Sequence, residues 1–327
     1  RDIPADFAER LRTATFTTFR RLLDLCERES PDFLLLAGDV YNQEDASVSA
    51  QLALRDGFRR LESLSIPVFL VHGNHDPLAS RLRSVRWPGN VTVFGELPDA
   101  VPVFRKGEGT PLAIIHGASH ASGRETRNLA ALFRRTEACG LHVGLLHATP
   151  GDADGVARYA PFSQGDLKAS GMDYWALGHI HDRREVCREP LAAYPGCTQG
   201  LHINEPGEKG CLLVTAEARP DGGYAVRTSF RPLGPAVWKT LDMDLGGAAS
   251  LDELENRLRT GLDRAAAEVW SGCEMLLVRL RLQGRTELDG LLRKGTTCAE
   301  LADRLREDGS GVPRIWIKDI DVATRPC

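Results

Sequence analysis

At 327 residues the chain is long enough for two domains, one large and one small. A hydrophobic fraction of 42% and a charged fraction of 26% are those of an ordinary globular protein, and no run approaches the ~18 apolar residues of a membrane span. The formal charge of -4 excludes a polycation, so any nucleic-acid binding would need a local basic patch, metal ions or a partner to supply the positive field.

In chain order, residues 6–29 read as one helix, because Phe7, Leu11, Phe16, Phe19, Leu22, Leu23 and Cys26 fall near helical spacing. Ser30-Pro31 ends it, and the apolar run Phe33–Ala37 reads as a strand that runs into Gly38-Asp39. A second helix is expected from Ser47, as N-cap, to about Ser63. The run Ile66–Leu70 is the next strand, delivering Val71-His72-Gly73-Asn74-His75-Asp76-Pro77, after which Pro77 permits a helical turn carrying Arg81, Arg83 and Arg86. Short strands are expected at 91–94, 101–104 and 112–116, then a helix over 125–138 closed by Gly140. The strand 142–146 runs into His147 and a long Gly- and Asp-rich loop, 148–161, whose length suggests a working role. A short helix at 163–169 leads to the strand Tyr174–Leu177 and to Gly178-His179-Ile180-His181. Strands follow at 183–188, 191–194, 210–216 and 224–231. Pro232–Pro235 marks a boundary between a large domain, 1–232, and a small α+β module, 236–327. The cysteines are scattered without a C-x-x-C pair, which predicts reduced thiols and a cytoplasmic protein.

Four apolar strands thus each deliver Asp, Asn or His at the carboxyl end, the edge at which α/β sheets build their sites. Asp39, Asn74, His147, His179 and His181 offer mixed oxygen and nitrogen donors, which suit manganese, iron or zinc better than calcium. A carboxylate can bridge two cations, and Asp39 is the natural bridge. Two metals ~3.5–4 Å apart form a clamp for phosphate ester hydrolysis. His75, one residue past Asn74, faces the substrate from the metal edge and suits a proton donor to the leaving alkoxide. Asp76 is expected to orient His75 or to cap the turn after it. Arg81 and Arg83 are candidate phosphate contacts. His72 and His116 are expected to pack at strand ends, His120 and His202 to be solvent-exposed, and His142 to be superficial.

Gly38-Asp39, Gly73-Asn74-His75-Asp76, His147 and Gly178-His179-Ile180-His181 resemble the motifs of the calcineurin-like metallophosphoesterases. The finer resemblance is to their DNA repair exonuclease branch, the bacterial SbcD nucleases and the YhaO-type proteins. It rests on Tyr159–Phe162, Asp173–His181, and Tyr194-Pro195-Gly196 with Gly207–Cys211. This resemblance implies an α/β fold, a four-layer α-β-β-α sandwich with a small C-terminal capping domain. It implies manganese-dependent cleavage of DNA phosphodiesters by two divalent metal ions, Mn2+ foremost, with Fe, Zn or Mg as alternatives. Its implied partners are DNA and an SbcC/Rad-type ATPase, with a homodimer as a further expectation and no membrane. The family also opens with an Asp-x-His strand that is not found before Asp39, so the native protein is expected to continue upstream of Arg1 with that strand. On the residues given, the second metal would have Asp39, Asn74, His147 and His179, and the first only Asp39 and His181.

The leading expectation is a DNA exonuclease, with endonuclease activity as an addition. The alternatives are a small-molecule phosphodiesterase or phosphatase with the same core, and a scaffold whose chemistry is impaired. Arg279, Arg281 and Arg285 in the C-terminal module are candidate DNA contacts or simply a solvent face.

Overall fold

A computed structural model of the chain describes residues 3–41, 47–79, 85–153, 157–220, 222–307 and 311–327. The chain divides into two compact units. One comprises residues 19–197 and 211–231, and the other 1–18, 198–210 and 232–327.

The elements begin with two helices, α1 (Ala5–Arg12) and α2 (Ala14–Glu29), where the apolar spacing predicts one. The break falls at Thr13, whose hydroxyl bonds back to the Glu9 carbonyl at 2.9 Å, a pattern that bends helices. Next come β1 (Leu34–Ala37), α3 (Val48–Ser63), β2 (Val68–Val71), β3 (Val91–Val93), β4 (Asp99–Val103) and β5 (Ala113–Ala118). Ser47 caps α3 by accepting the Ala50 N–H. The helix expected over 125–138 reduces to a single 3-10 turn, Ala130–Leu132. Its amides are claimed elsewhere: Arg127 N–H by the Glu125 carboxylate, Ala131 N–H by the Asn128 side chain and Arg135 N–H by the Ser170 carbonyl. Side-chain acceptors of this kind compete with the helical ladder. Then follow β6 (Leu141–His147), α4 (Gln164–Ala169), β7 (Tyr174–Gly178), β8 (Arg184–Arg188), β9 (Leu191–Tyr194), β10 (Gly210–Ala218) and β11 (Tyr224–Pro232).

In the larger unit β1, β2 and β3 form a parallel sheet, and a second sheet runs β4-β5-β6-β7-β9-β8, with β5, β6 and β7 parallel. Side chains alternate across a strand, and that period divides the apolar residues between two cores. Phe69 and Val71 of β2 meet Val143 and Leu145 of β6 and Tyr174 of β7 between the sheets. On the outer face of the larger sheet, Leu146, Trp175 and Leu177 pack under Leu129, Phe133 and Leu167. The helices α2 and α3 join through Phe19 and Phe58, edge to face at 6.1 Å. The layering is helix, sheet, sheet, helix. Because β1 packs on β6 and β7, the carboxyl ends of strands from both sheets come together at one edge.

The smaller unit is built on β12 (Ala236–Asp244), α5 (Leu251–Glu268), β13 (Met275–Gln283), α6 (Asp289–Leu292), α7 (Thr297–Glu307) and β14 (Arg314–Val322). All three strands are parallel, joined through α5 and through α6 and α7. One sheet face packs on the helices through Val278, Leu280 and Leu282. The other is half apolar, where Trp238, Leu277 and Trp316 meet Phe7 of α1 and Ile203. Its second half is a charged ladder. Arg279 makes a bidentate pair with Asp319 at 2.6 and 2.9 Å, and Arg281 lies 3.5 Å from both Asp242 and Asp321. Arg285 donates to the Pro326 carbonyl. The alternate arginines on β13 are therefore already matched with carboxylates.

Candidate metal centre

Three loops converge at the shared edge, and they can do so only where backbone meets backbone or side chain without a Cβ between. A Cβ on Gly73 would run into Asp39 Oδ1 and lie 2.8 Å from His147 Nε2. One on Gly178 would collide with the Ala37 carbonyl. Asp39 and His179 both adopt positive φ, 51° and 101°, an uncommon conformation for residues with a side chain. Strain of this kind persists only where surrounding contacts hold it in place.

The donors then meet. His147 ends β6, is buried, and directs Nδ1 to the Ala37 carbonyl at 2.8 Å. A carbonyl only accepts, so Nδ1 carries the hydrogen and Nε2 is left with a bare lone pair. Nε2 lies 3.0 Å from Asn74 Oδ1 and 3.2 Å from Asp39 Oδ2. A lone pair on Nε2 that close to two oxygens is repelled by both unless a cation, a proton or a metal ion, stands between them. His179 joins from the loop after β7, with its ligating atom within 4.8 Å of those of Asp39 and His147. Its Nε2 donates to the Ala157 carbonyl at 3.1 Å, which leaves Nδ1 as the lone-pair atom. Both imidazoles thus have one nitrogen fixed by a main-chain carbonyl, the arrangement that orients metal-binding histidines. The residues present fit a divalent cation of the kind that accepts mixed oxygen and nitrogen donors.

Electrostatics agree with the geometry. Burial alone would raise the Asp39 carboxyl, but with a proton on the facing His147 nitrogen the hydrogen bond and charge of that imidazolium, with the His75 amide, hold the carboxyl down at about 2, and a metal ion in the proton's place would act in the same direction. Burial, then the neighbouring His147, lowers His179 to about 4, so the imidazole is neutral near pH 7.

Asp76 takes a different place from the one expected. It is fully buried, and its carboxylate accepts the amides of Asp39 at 3.2 Å, Val40 at 3.0 Å and Gly73 at 2.7 Å. It locks the loop after β1 to the loop after β2, and its bonds run to main chain rather than to the His75 imidazole. His75 is exposed, with its N–H donating to Asp39 Oδ1 at 2.9 Å. His181 is exposed as well and lies outside the Asp39–His147–His179 group. Arg81 and Arg83 lie outside the described residues, and Arg86 is exposed.

Two histidines expected at the surface are inside. His142 pairs its Nδ1 with His116 Nε2 at 2.9 Å, away from the centre. His120 is fully buried and bonds to the His147 carbonyl at 2.6 Å, beneath that candidate ligand. Only its position after an apolar strand could have marked it in the sequence. His202 is exposed, beside Glu205.

Residues 12–183 match the calcineurin-like phosphoesterase family, and residues 238–325 match the middle domain of metallophosphoesterase YhaO. The chain is 35% identical over 327 residues to the uncharacterized metallophosphoesterase YhaO of Bacillus subtilis, covering 98% of this chain and 77% of that protein. It is 27% identical over 290 residues to the DNA double-strand break repair protein Mre11 of Aeropyrum pernix, covering 80% of this chain and 64% of that one. With the Mre11 of Sulfurisphaera tokodaii it shares 26% over 179 residues, 52% of this chain and 43% of the relative. The chain thus spans less than two thirds of either Mre11 protein.

Proposed function

The chain belongs to the calcineurin-like metallophosphoesterases, and from that premise we propose that it is a metal-dependent DNA nuclease, an exonuclease with endonuclease activity in addition, working in DNA repair. The observation that carries the reading is the convergence of His147 Nε2, Asp39 Oδ2 and Asn74 Oδ1 with His179 beside them. Mixed donors of this set suit two Mn2+ ions, with Fe, Zn or Mg as alternatives. When bound there, divalent cations would supply hydroxide at neutral pH and neutralise phosphoryl charge. In this reading Asp39 would be shared between the ions, Asn74, His147 and His179 would hold one of them, and His181 would help to hold the other. His75 stands outside the ligand cluster with its side chain in solvent, where it protonates the leaving alkoxide. Asp76 sets the distance between the Asp39 and Asn74 loops. DNA as substrate is supported by similarity to proteins named for double-strand break repair. An SbcC/Rad-type ATPase partner and a homodimer belong to the same proposal. So does a cytoplasmic location, which suits the free cysteines. Among the described residues no helix is long and apolar enough to cross a membrane.

A second reading, a phosphodiesterase for small substrates, is favoured by one observation. Arg279 and Arg281 are paired with carboxylates and offer DNA little net positive charge. Incubating the Mn2+-loaded protein with labelled duplex DNA and with bis-p-nitrophenyl phosphate separates the readings. Cleavage of both supports the nuclease. Hydrolysis of the small diester alone supports the second, and failure on both leaves a scaffold.

A further inference from the structure

We propose that Thr149 is a positioning residue for the metal centre, fixing the orientation and tautomer of His179 through the Ala157 carbonyl. The inference rests on the metal-centre reading above. Thr149 follows the ligand strand β6 by two residues and is fully buried. Its hydroxyl donates to the Ala157 carbonyl at 3.2 Å and accepts the Tyr159 amide at 3.0 Å. Its main chain adds two more bonds, its own N–H to the Tyr159 carbonyl at 2.9 Å and the Phe162 N–H to its carbonyl at 3.1 Å. One residue therefore staples the returning end of the loop onto the end of the strand that carries His147.

Ala157 lies in irregular chain, so no helical or sheet ladder fixes the direction of its carbonyl. That same oxygen receives His179 Nε2 at 3.1 Å. The Tyr159 ring stands edge-on to the His179 ring at 5.3 Å, on the segment that Thr149 anchors. A neutral imidazole that donates through Nε2 keeps its lone pair on Nδ1, available to the group shared with Asp39 and His147. Without the hydroxyl, the carbonyl loses the contact that aims it. His179 is then free to carry its proton on the ligating nitrogen.

Outer-shell partners of metal-binding histidines typically contribute ~10–100-fold in affinity. Thr149→Val, which keeps the shape and removes the hydroxyl, should weaken Mn2+ binding by about that factor in isothermal titration. Thr149→Ser should stay near wild type. Long-range 15N correlation spectra of the metal-free wild type should show His179 with its proton on Nε2. Equal affinity in Thr149→Val, failure of Thr149→Ser to retain binding, or a wild-type His179 protonated on Nδ1 would each overturn the proposal. Should Thr149→Val not fold, the wild-type tautomer and the Thr149→Ser titration decide it. Wild-type protein that binds no Mn2+ sinks the metal centre itself, a result distinct from any of these.

Discussion

Replacing Asp76 by Asn should loosen the centre without touching a candidate ligand. The buried carboxylate holds Asp39 N–H and Gly73 N–H on Oδ1, at 3.2 and 2.7 Å, and Val40 N–H on Oδ2, at 3.0 Å. A carboxamide of the same shape will keep its oxygen on the side with two donors. Its NH2 then faces the Val40 amide, donor against donor. A buried donor without an acceptor costs about 1–3 kcal/mol, and the two surviving bonds lose the advantage of a charged acceptor. The expected destabilisation is about 3 kcal/mol, a large part of the ~5–15 kcal/mol that separates folded from unfolded chains. For a unit of this size that corresponds to a melting temperature lower by about 6–12 °C in scanning calorimetry. Divalent-metal affinity should fall with it, because Asp39 and Asn74 ride on the two loops the carboxylate joins. An Asp76→Asn variant that melts with the wild type and binds metal as well would refute the clamp. Intact stability and metal binding with lost turnover would instead return Asp76 to the role of orienting His75.

His75→Ala should lose ~10²–10⁴-fold in turnover yet retain metal by elemental analysis, and loss of metal would mark His75 as a ligand. Arg281→Ala should leave DNA affinity and its salt dependence unchanged, since Asp242 and Asp321 already flank the guanidinium. A salt slope shallower by about one unit would show a phosphate contact. Acid should destabilise the fold through the buried His116–His142 pair. Burial, then His142, lowers His116 from 6.5 to about 4, and burial lowers His142 as well. Between those values the unfolded chain binds more protons than the folded one, so stability should fall as pH drops through that window and be indifferent to the pair above it. A melting temperature equally flat from pH 6.5 to 4 in wild type and in His116→Gln would contradict this.

What the sequence made legible was whatever lies next to its own signal. Asp39, Asn74, His147 and His179 each follow an apolar run and stand beside or near a glycine, so residue type and local pattern were enough to single out these four residues, which the fold brings together. The role of Asp76 was not legible in that way. Its partners are main-chain amides 3, 36 and 37 residues away, and no periodicity records an amide. His120 and His142 were misplaced for the same reason, because a polar residue at a strand end can turn inward when another element offers an acceptor. The helix expected at 125–138 failed where Glu125 and Asn128 drew the local amides to their side chains. The β13 arginines followed the alternation expected of a strand, but their partners on β12 and β14 belong to tertiary register.

The way the candidate ligands are held bears on how a centre of this kind can change its substrate. His147 is oriented by the Ala37 carbonyl and His179 by the Ala157 carbonyl, while the spacing of the Asp39 and Asn74 loops is set by Asp76 against main-chain amides. Backbone groups are the same whatever side chains surround them. Substitutions on the rim can therefore alter what approaches the metal edge without changing the donors. The two carbonyls differ in how firmly they stand. Ala37 belongs to β1, paired to β2 by a strand ladder, whereas Ala157 belongs to a loop stapled by Thr149. The His179 side of the centre is thus the adjustable one. Changes in the 149–162 loop should shift metal affinity and substrate choice together, while changes around β1 should act on folding first.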